Sequence, residues 1–95
     1  MNKPRIYADY HKVDVYGRLI LVCYGTIRDL EKYGIFMQED LALTFYMDDG
    51  YDFGNQDNLL VDGIVEYNNE LQQWVGNIDE KTFRHESDER ESSSD

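Results

Sequence analysis

One proline, one cysteine and two histidines in 95 residues leave little room for several kinds of protein. A lone cysteine, Cys23, cannot close an internal disulfide, so a disulfide-stapled secreted scaffold is excluded and a reducing compartment fits better. The longest unbroken apolar run, 19–24, falls far short of the roughly 20 residues that a helical membrane span needs. No hydrophobic targeting stretch follows Met1-Asn2-Lys3-Pro4-Arg5, so the expectation is a cytoplasmic protein with no membrane partner. His11 and His85 lie far apart, and neither stands at metal-ligand spacing from Cys23. Glycine-rich phosphate loops and nucleophile elbows are also missing, which points away from an enzyme. Cys23, inside the apolar run, reads as a small core residue, and His11 as a polar contact for Asp9.

A second absence concerns charge. Residues 33–80 contain eleven Asp and Glu and no Lys or Arg, whereas residues 1–32 hold six bases against four acids. The net charge of the whole chain is −11. Neutralising phosphates requires clustered bases, so this distribution excludes nucleic acid as the expected partner and favours a basic protein.

What is present is a β-forming composition of one domain's size, with eight tyrosines and 41% hydrophobic residues. Residues 5–14 alternate as a first strand, with a turn at Val15-Tyr16-Gly17, and 18–24 read as a second strand in a central, doubly covered position. The period then changes. Residues 26–33 form a short helix with Thr26 as N-cap, Asp29 in a capping-box position and Gly34 as the stop. Ile27, Leu30 and Tyr33 would be its buried stripe.

Leu41, Leu43, Phe45 and Met47 alternate with polar or small residues as a third strand, and 48–58 read as a long polar loop. Residues 59–67 and 70–78 make a hairpin about Asn68-Asn69, with Trp74 buried beside Val65 and Tyr67 and with Gly63 leaving room for its ring. The expected fold is therefore mostly β with a minor α component, in the order β-β-α-β-β-β. Five short antiparallel strands with one helix would close into a small barrel or a highly curved sheet. The domain spans 1–85, and 86–95, which holds no apolar residue, is expected to be a disordered acidic and serine-rich tail.

The helix, Gly34-Ile35, a turn at Glu39-Asp40 and Leu41-x-Leu43-x-Phe45 together are similar to the swapped-hairpin DNA-binding domains of antitoxins and transition-state regulators. That resemblance, over about twenty residues, implies an intertwined dimer with basic residues facing DNA. The chain departs from the pattern: the proline that opens that helix is Thr26 or absent, Glu39 or Asp40 replaces the turn glycine, and an acidic block follows.

Two functional expectations result. The first is a non-catalytic interaction module, regulatory in character, that offers an acidic, tyrosine-bearing face to a basic protein through Tyr46, Tyr51, Phe53, Asp62 and Glu66. A sharper variant is a nucleic-acid mimic whose carboxylates are spaced like phosphates. The alternative is a divalent-cation domain, with Ca²⁺ held by Asp48, Asp49, Asp52, Asn55 and Asp57, because hard cations take oxygen donors from flexible loops. An EF-hand register fails there, since Gly50 and Phe53 fall where an oxygen donor and a glycine are required.

Overall fold

The computed structural model describes residues 4–52 and 55–86. Its organising element is the strand read from the alternation of Leu43, Phe45 and Met47. This strand, here β3 (Ala42–Asp52), lies between β1 (Arg5–Tyr7) and β4 (Asn55–Asn68). The sheet continues through β5 (Gln73–Ile78) to β2 (Leu19–Ile20), and β6 (Arg84–His85) also pairs with β4. The result is an open, mixed six-stranded sheet, not a closed five-stranded antiparallel barrel. The order β-β-α-β-β-β of the first six elements holds, but β1 runs parallel to β3. A parallel neighbour needs a crossover, and the segment carrying β2 and the helix supplies it.

The first strand is shorter than 5–14 because the chain turns at Asp9. The Asp9 carboxylate accepts the His11 N–H at 2.9 Å and the Asp9 carbonyl accepts the Lys12 N–H at 3.0 Å, a local polar turn that competes with the ladder. Tyr10 then reaches back, its hydroxyl 2.7 Å from the Leu59 carbonyl oxygen and 3.0 Å from that of Phe45. The expected turn about Gly17 is present, with Gly17 at φ 80° and its N–H donating to the Asp14 carbonyl.

The apolar run after it is a different matter. Only Leu19 and Ile20 are strand, and they form the outermost strand of the sheet beyond β5, not its centre, with Val13 bridged to Leu19 on the other side. The run is continuous because it covers three roles. Leu19 and Leu21 enter the core, Val22 is part of the connection to the helix, and Tyr24 opens the helix while 81% exposed. Cys23 is likewise a half-buried helix-capping residue and not a mid-strand core residue.

The helix α1 (Tyr24–Tyr33) begins earlier than expected and has no side-chain cap. Its buried face is polar. Thr26 and Asp29 are the buried residues, while Ile27 and Tyr33 are exposed. The Thr26 hydroxyl donates to the Tyr7 carbonyl, and the Tyr7 N–H donates to Asp29 at 2.9 Å. The two residues thus occupy the outer edge of β1, where unpaired backbone groups would otherwise template aggregation. The expected stripe of Ile27, Leu30 and Tyr33 fails because this helix satisfies a strand edge first; only Leu30 packs on the core. Gly34 ends the helix at φ 64°, as expected.

Of the segment 48–58, the described residues 48–52 and 55–58 are strand and not loop in their backbone. Asp48 pairs with Asn58, Tyr51 with Gln56 and Asp52 with Asn55, so β3 and β4 extend as a two-stranded ribbon with a register shift between Asp48 and Tyr51. The last hairpin turns through four residues, 69–72, and not at Asn68-Asn69, so Asn68 pairs with Gln73 and Tyr67 with Trp74. Because the shift is an even number of residues, the same side chains stay on the core face. Trp74 is only half-buried, edge-on to Tyr67 at 5.0 Å. The space at Gly63, and at Gly76 on β5, is taken by the fully buried Phe45 ring and not by the indole. Ile6, Leu43, Phe45, Val61 and Val65 form the centre of the core. The tail from residue 87 onward lies outside the described residues.

Candidate functional site

The site is built from a turn whose sequence signal is plain once noticed. Asp14-Val15-Tyr16-Gly17 has Asp at the first turn position and Gly at the fourth, a combination favoured by the aspartate's ability to bond its own backbone. The Asp14 carboxylate accepts the N–H groups of Tyr16 and Arg18, both at 2.9 Å, and the Arg18 Nε at 2.8 Å. Arg18 also donates through Nη1 to Glu66 on β4 at 2.8 Å, and Asn77 on β5 donates to the other Glu66 oxygen at 3.3 Å. Asn68 closes the network. Its amide nitrogen donates to Asp14 at 3.1 Å and its oxygen accepts the Leu71 N–H at 3.0 Å, tying the 69–72 turn to the 14–18 turn.

The Asp14 side chain is 1% exposed, so burial opposes its ionisation. The donors from Arg18, Tyr16 and Asn68 outweigh that and hold its carboxyl below the ordinary value. Glu66 is lowered chiefly by the Arg18 guanidinium, and Arg18 is raised chiefly by Glu66 in return.

Two clefts flank this network and share Asn68 and Glu70 as a wall. One, of about 340 Å³, is walled by Val13, Val15, Ile20 and Leu71. The other, of about 590 Å³, is lined by polar groups that include Glu66, Glu70, Asn77 and Tyr16. Over them stand Val15 at 88% exposure, Tyr16 at 68%, and Val13 and Leu71 at 45% each. The Arg18 guanidinium lies 4.9 Å from the Tyr16 ring centre.

The residues named from sequence are scattered relative to this pole. Glu66 belongs to it, but as an ion-paired member. Tyr46 is half-buried near α1, with its hydroxyl donating to Asp29 at 3.0 Å and its ring edge-on to Tyr7. It lines a smaller cleft of about 210 Å³ with Arg5, Lys32 and Glu86. Burial opposes the charge on Asp29, yet the donors from Arg28, Tyr7 and Tyr46 keep its carboxyl below the ordinary value. Asp62 accepts from Thr44 at 2.8 Å and from Arg84 at 3.3 Å. Phe53 lies outside the described residues, and so does the side chain of Tyr51. The side chains of Asp48, Asp49, Asp52, Asn55 and Asp57 are also outside them, so the structure places these five only by backbone, along the ribbon. Among the described residues no three His, Cys, Asp or Glu side chains gather as a metal site.

The charge partition survives folding in part. The described arginines are engaged internally: Arg5 with Glu86, Arg18 with Asp14 and Glu66, Arg28 with Asp29, and Arg84 with Asp62. Of the described acids of the 33–80 block, Asp62 and Glu66 are paired, while Glu39, Asp40, Glu70, Asp79 and Glu80 make no ion pair with a described residue. His11 stands on the surface with Nδ1 3.3 Å from Asp9, the polar contact read from sequence.

The joining of Asp14 to Asn68, with the apolar rim that it supports, was not singled out by pattern, because the two residues stand 54 apart in the chain. No helix of the described residues is long and apolar enough to cross a membrane. No family model, curated protein or solved structure matches the chain.

Proposed function

We propose that this protein is a non-catalytic interaction module whose recognition surface is the pole made by the 13–18 and 68–72 turns. The observation that carries this reading is the set of four exposed hydrophobic side chains, Val13, Val15, Tyr16 and Leu71, held over a part-buried ion-pair network. Exposed apolar groups normally cost solubility, and a rigid, fully hydrogen-bonded support beneath them is what a preformed interface needs. The partner is a basic protein, since the described arginines are spent internally while Glu39, Asp40, Glu70, Asp79 and Glu80 make no ion pair with a described residue. A cytoplasmic location agrees with the single free cysteine.

The test is capture of partners from native lysate by the tagged chain and by a Val15→Ser/Tyr16→Ser/Leu71→Ser variant, after matched melting curves show that both fold. A partner retained by the parent, released at high salt and lost by the variant supports the reading. Equal capture by both refutes it.

A second reading keeps the ribbon as a divalent-cation site. It is favoured by the register, which sets Asp48 opposite Asn58 and Asp52 opposite Asn55, oxygen-bearing residues directly across from one another. A rise in melting temperature with Ca²⁺ or Mn²⁺, reversed by chelator, tests it. The nucleic-acid-mimic variant is less well supported, because Asp62 and Glu66 are neutralised by Arg84 and Arg18.

A further inference from the structure

The two clefts differ in chemistry yet share a wall, and that juxtaposition specifies a ligand. We infer that they form one bipartite site for a peptide segment of a partner protein, carrying an aliphatic side chain next to an arginine or lysine. The inference rests on the interaction-module reading and names what the module recognises. The aliphatic group enters the cleft between Val13, Val15, Ile20 and Leu71, whose volume of about 340 Å³ admits one such side chain. The cation lies in the adjoining cleft against Glu70, with Glu66 held beside it by Arg18 and Asn77.

Charge balance sets the sign of the second group. The two clefts are lined by three carboxylates, Asp14, Glu66 and Glu70, and one guanidinium, that of Arg18, which leaves an excess of two negative charges. Glu70 makes no hydrogen bond or ion pair with a described residue, so its carboxylate keeps its full capacity to accept. Asp14 is unsuited to the task because its oxygens are spent on Tyr16, Arg18 and Asn68.

The shared wall also fixes spacing. A side chain in one cleft and a side chain in the other come from residues close together in the ligand, since Asn68 and Glu70 line both clefts. The Asn68 bridge to Leu71 and Asp14 keeps that separation constant. A second copy of this chain is the wrong occupant on charge, because it would bring one −11 molecule against another.

The experiment is amide NMR of the full chain titrated with three capped tetrapeptides, Ser-Leu-Arg-Ser, Ser-Leu-Glu-Ser and Ser-Ser-Arg-Ser, up to about 10 mM, where contacts with Kd near 1 mM saturate. The expected result is saturable shifts at Val13, Val15, Ile20, Glu66, Glu70 and Leu71 with the first peptide, and affinity at least about tenfold weaker with either control. Leu71→Ser should weaken the first peptide by a similar factor, and Glu70→Lys should abolish its preference over the glutamate control. Both sites are exposed, so neither substitution should disturb the spectrum elsewhere.

The inference is overturned by an absence of saturable shifts at the pole, by equal binding of the glutamate peptide, or by pole shifts that track protein concentration without peptide, which would mean self-association. If the peptides fail while the Val15→Ser/Tyr16→Ser/Leu71→Ser variant still loses its captured partner, the module reading stands and only this ligand chemistry falls. If capture is also unaffected, both fall.

Discussion

Gly76→Ala probes the close approach of Phe45 to β5 in the core. An ideal Cβ at Gly76 would lie 2.9 Å from Phe45 Cζ and 3.0 Å from Cε2, whereas carbon atoms settle at about 3.5–4.0 Å. Phe45 is fully buried among Ile6, Leu43, Val61 and Val65, so its ring cannot withdraw without displacing neighbours. Overpacking of this kind costs about 1–3 kcal/mol, and replacing a strand glycine by alanine returns about 0.5–1 kcal/mol of backbone entropy. The net expectation is a loss of about 1–2 kcal/mol, a visible share of the roughly 5–10 kcal/mol available to a domain of this size.

The diagnostic is the cycle with Phe45→Leu, which shortens the ring and opens a gap that by itself costs about 1–2 kcal/mol. In the double variant the alanine methyl occupies that gap, so the losses should fall short of their sum by about 1 kcal/mol. Urea denaturation followed by far-UV circular dichroism gives the three free energies. Gly63→Ala supplies the contrast, because its Cβ would also meet the Asn77 carbonyl oxygen at 3.0 Å and the Ile78 Cα at 3.2 Å, backbone atoms that Phe45→Leu does not move. Additivity of Gly76→Ala and Phe45→Leu within about 0.5 kcal/mol would refute the packing argument.

Arg18→Met leaves the Asp14 carboxylate buried without its cation and should cost about 3 kcal/mol in urea melts, with Asp14→Asn/Arg18→Met less damaged than Arg18→Met alone. Asp29→Ala removes the acceptor of the Tyr7 N–H and of the Tyr46 hydroxyl; hydrogen exchange at Tyr7 should accelerate while the central amide of Phe45 stays protected. The carboxyls of Asp14, Asp29 and Glu66 are lowered by folding, so the unfolded chain takes up more protons as pH falls. Their stabilisation is therefore complete above the unfolded values near pH 4 and is lost below them, and urea midpoints across pH 2–6 should show a slope that Asp14→Asn flattens.

Local chemistry was legible in the sequence wherever one residue's own conformation or alternation settled the matter. Gly17 and Gly34 adopt the positive φ that their positions suggested, and Leu43 and Phe45 face the core as the two-residue period required. The side of the sheet taken by Val65, Tyr67 and Trp74 was also correct although their turn was four residues long, because an even shift preserves facing.

Neighbours were not legible. The apolar run 19–24 gave no sign that Leu19 and Ile20 would form an edge, since burial by a connecting segment and burial by an adjacent strand write the same pattern. Thr26 and Asp29 looked like caps because a capping box and a pair that clamps the edge of β1 use the same residue types. Composition and periodicity by themselves determined a small acidic β-rich chain and which side chains share a face. The tertiary structure alone decided the open mixed sheet, the helix on the β1 edge and the Asp14–Arg18–Glu66–Asn68 pole. The physical reason is that a polar side chain's partner is chosen by proximity in space, across separations such as Asp14 to Asn68 that no period in the sequence records.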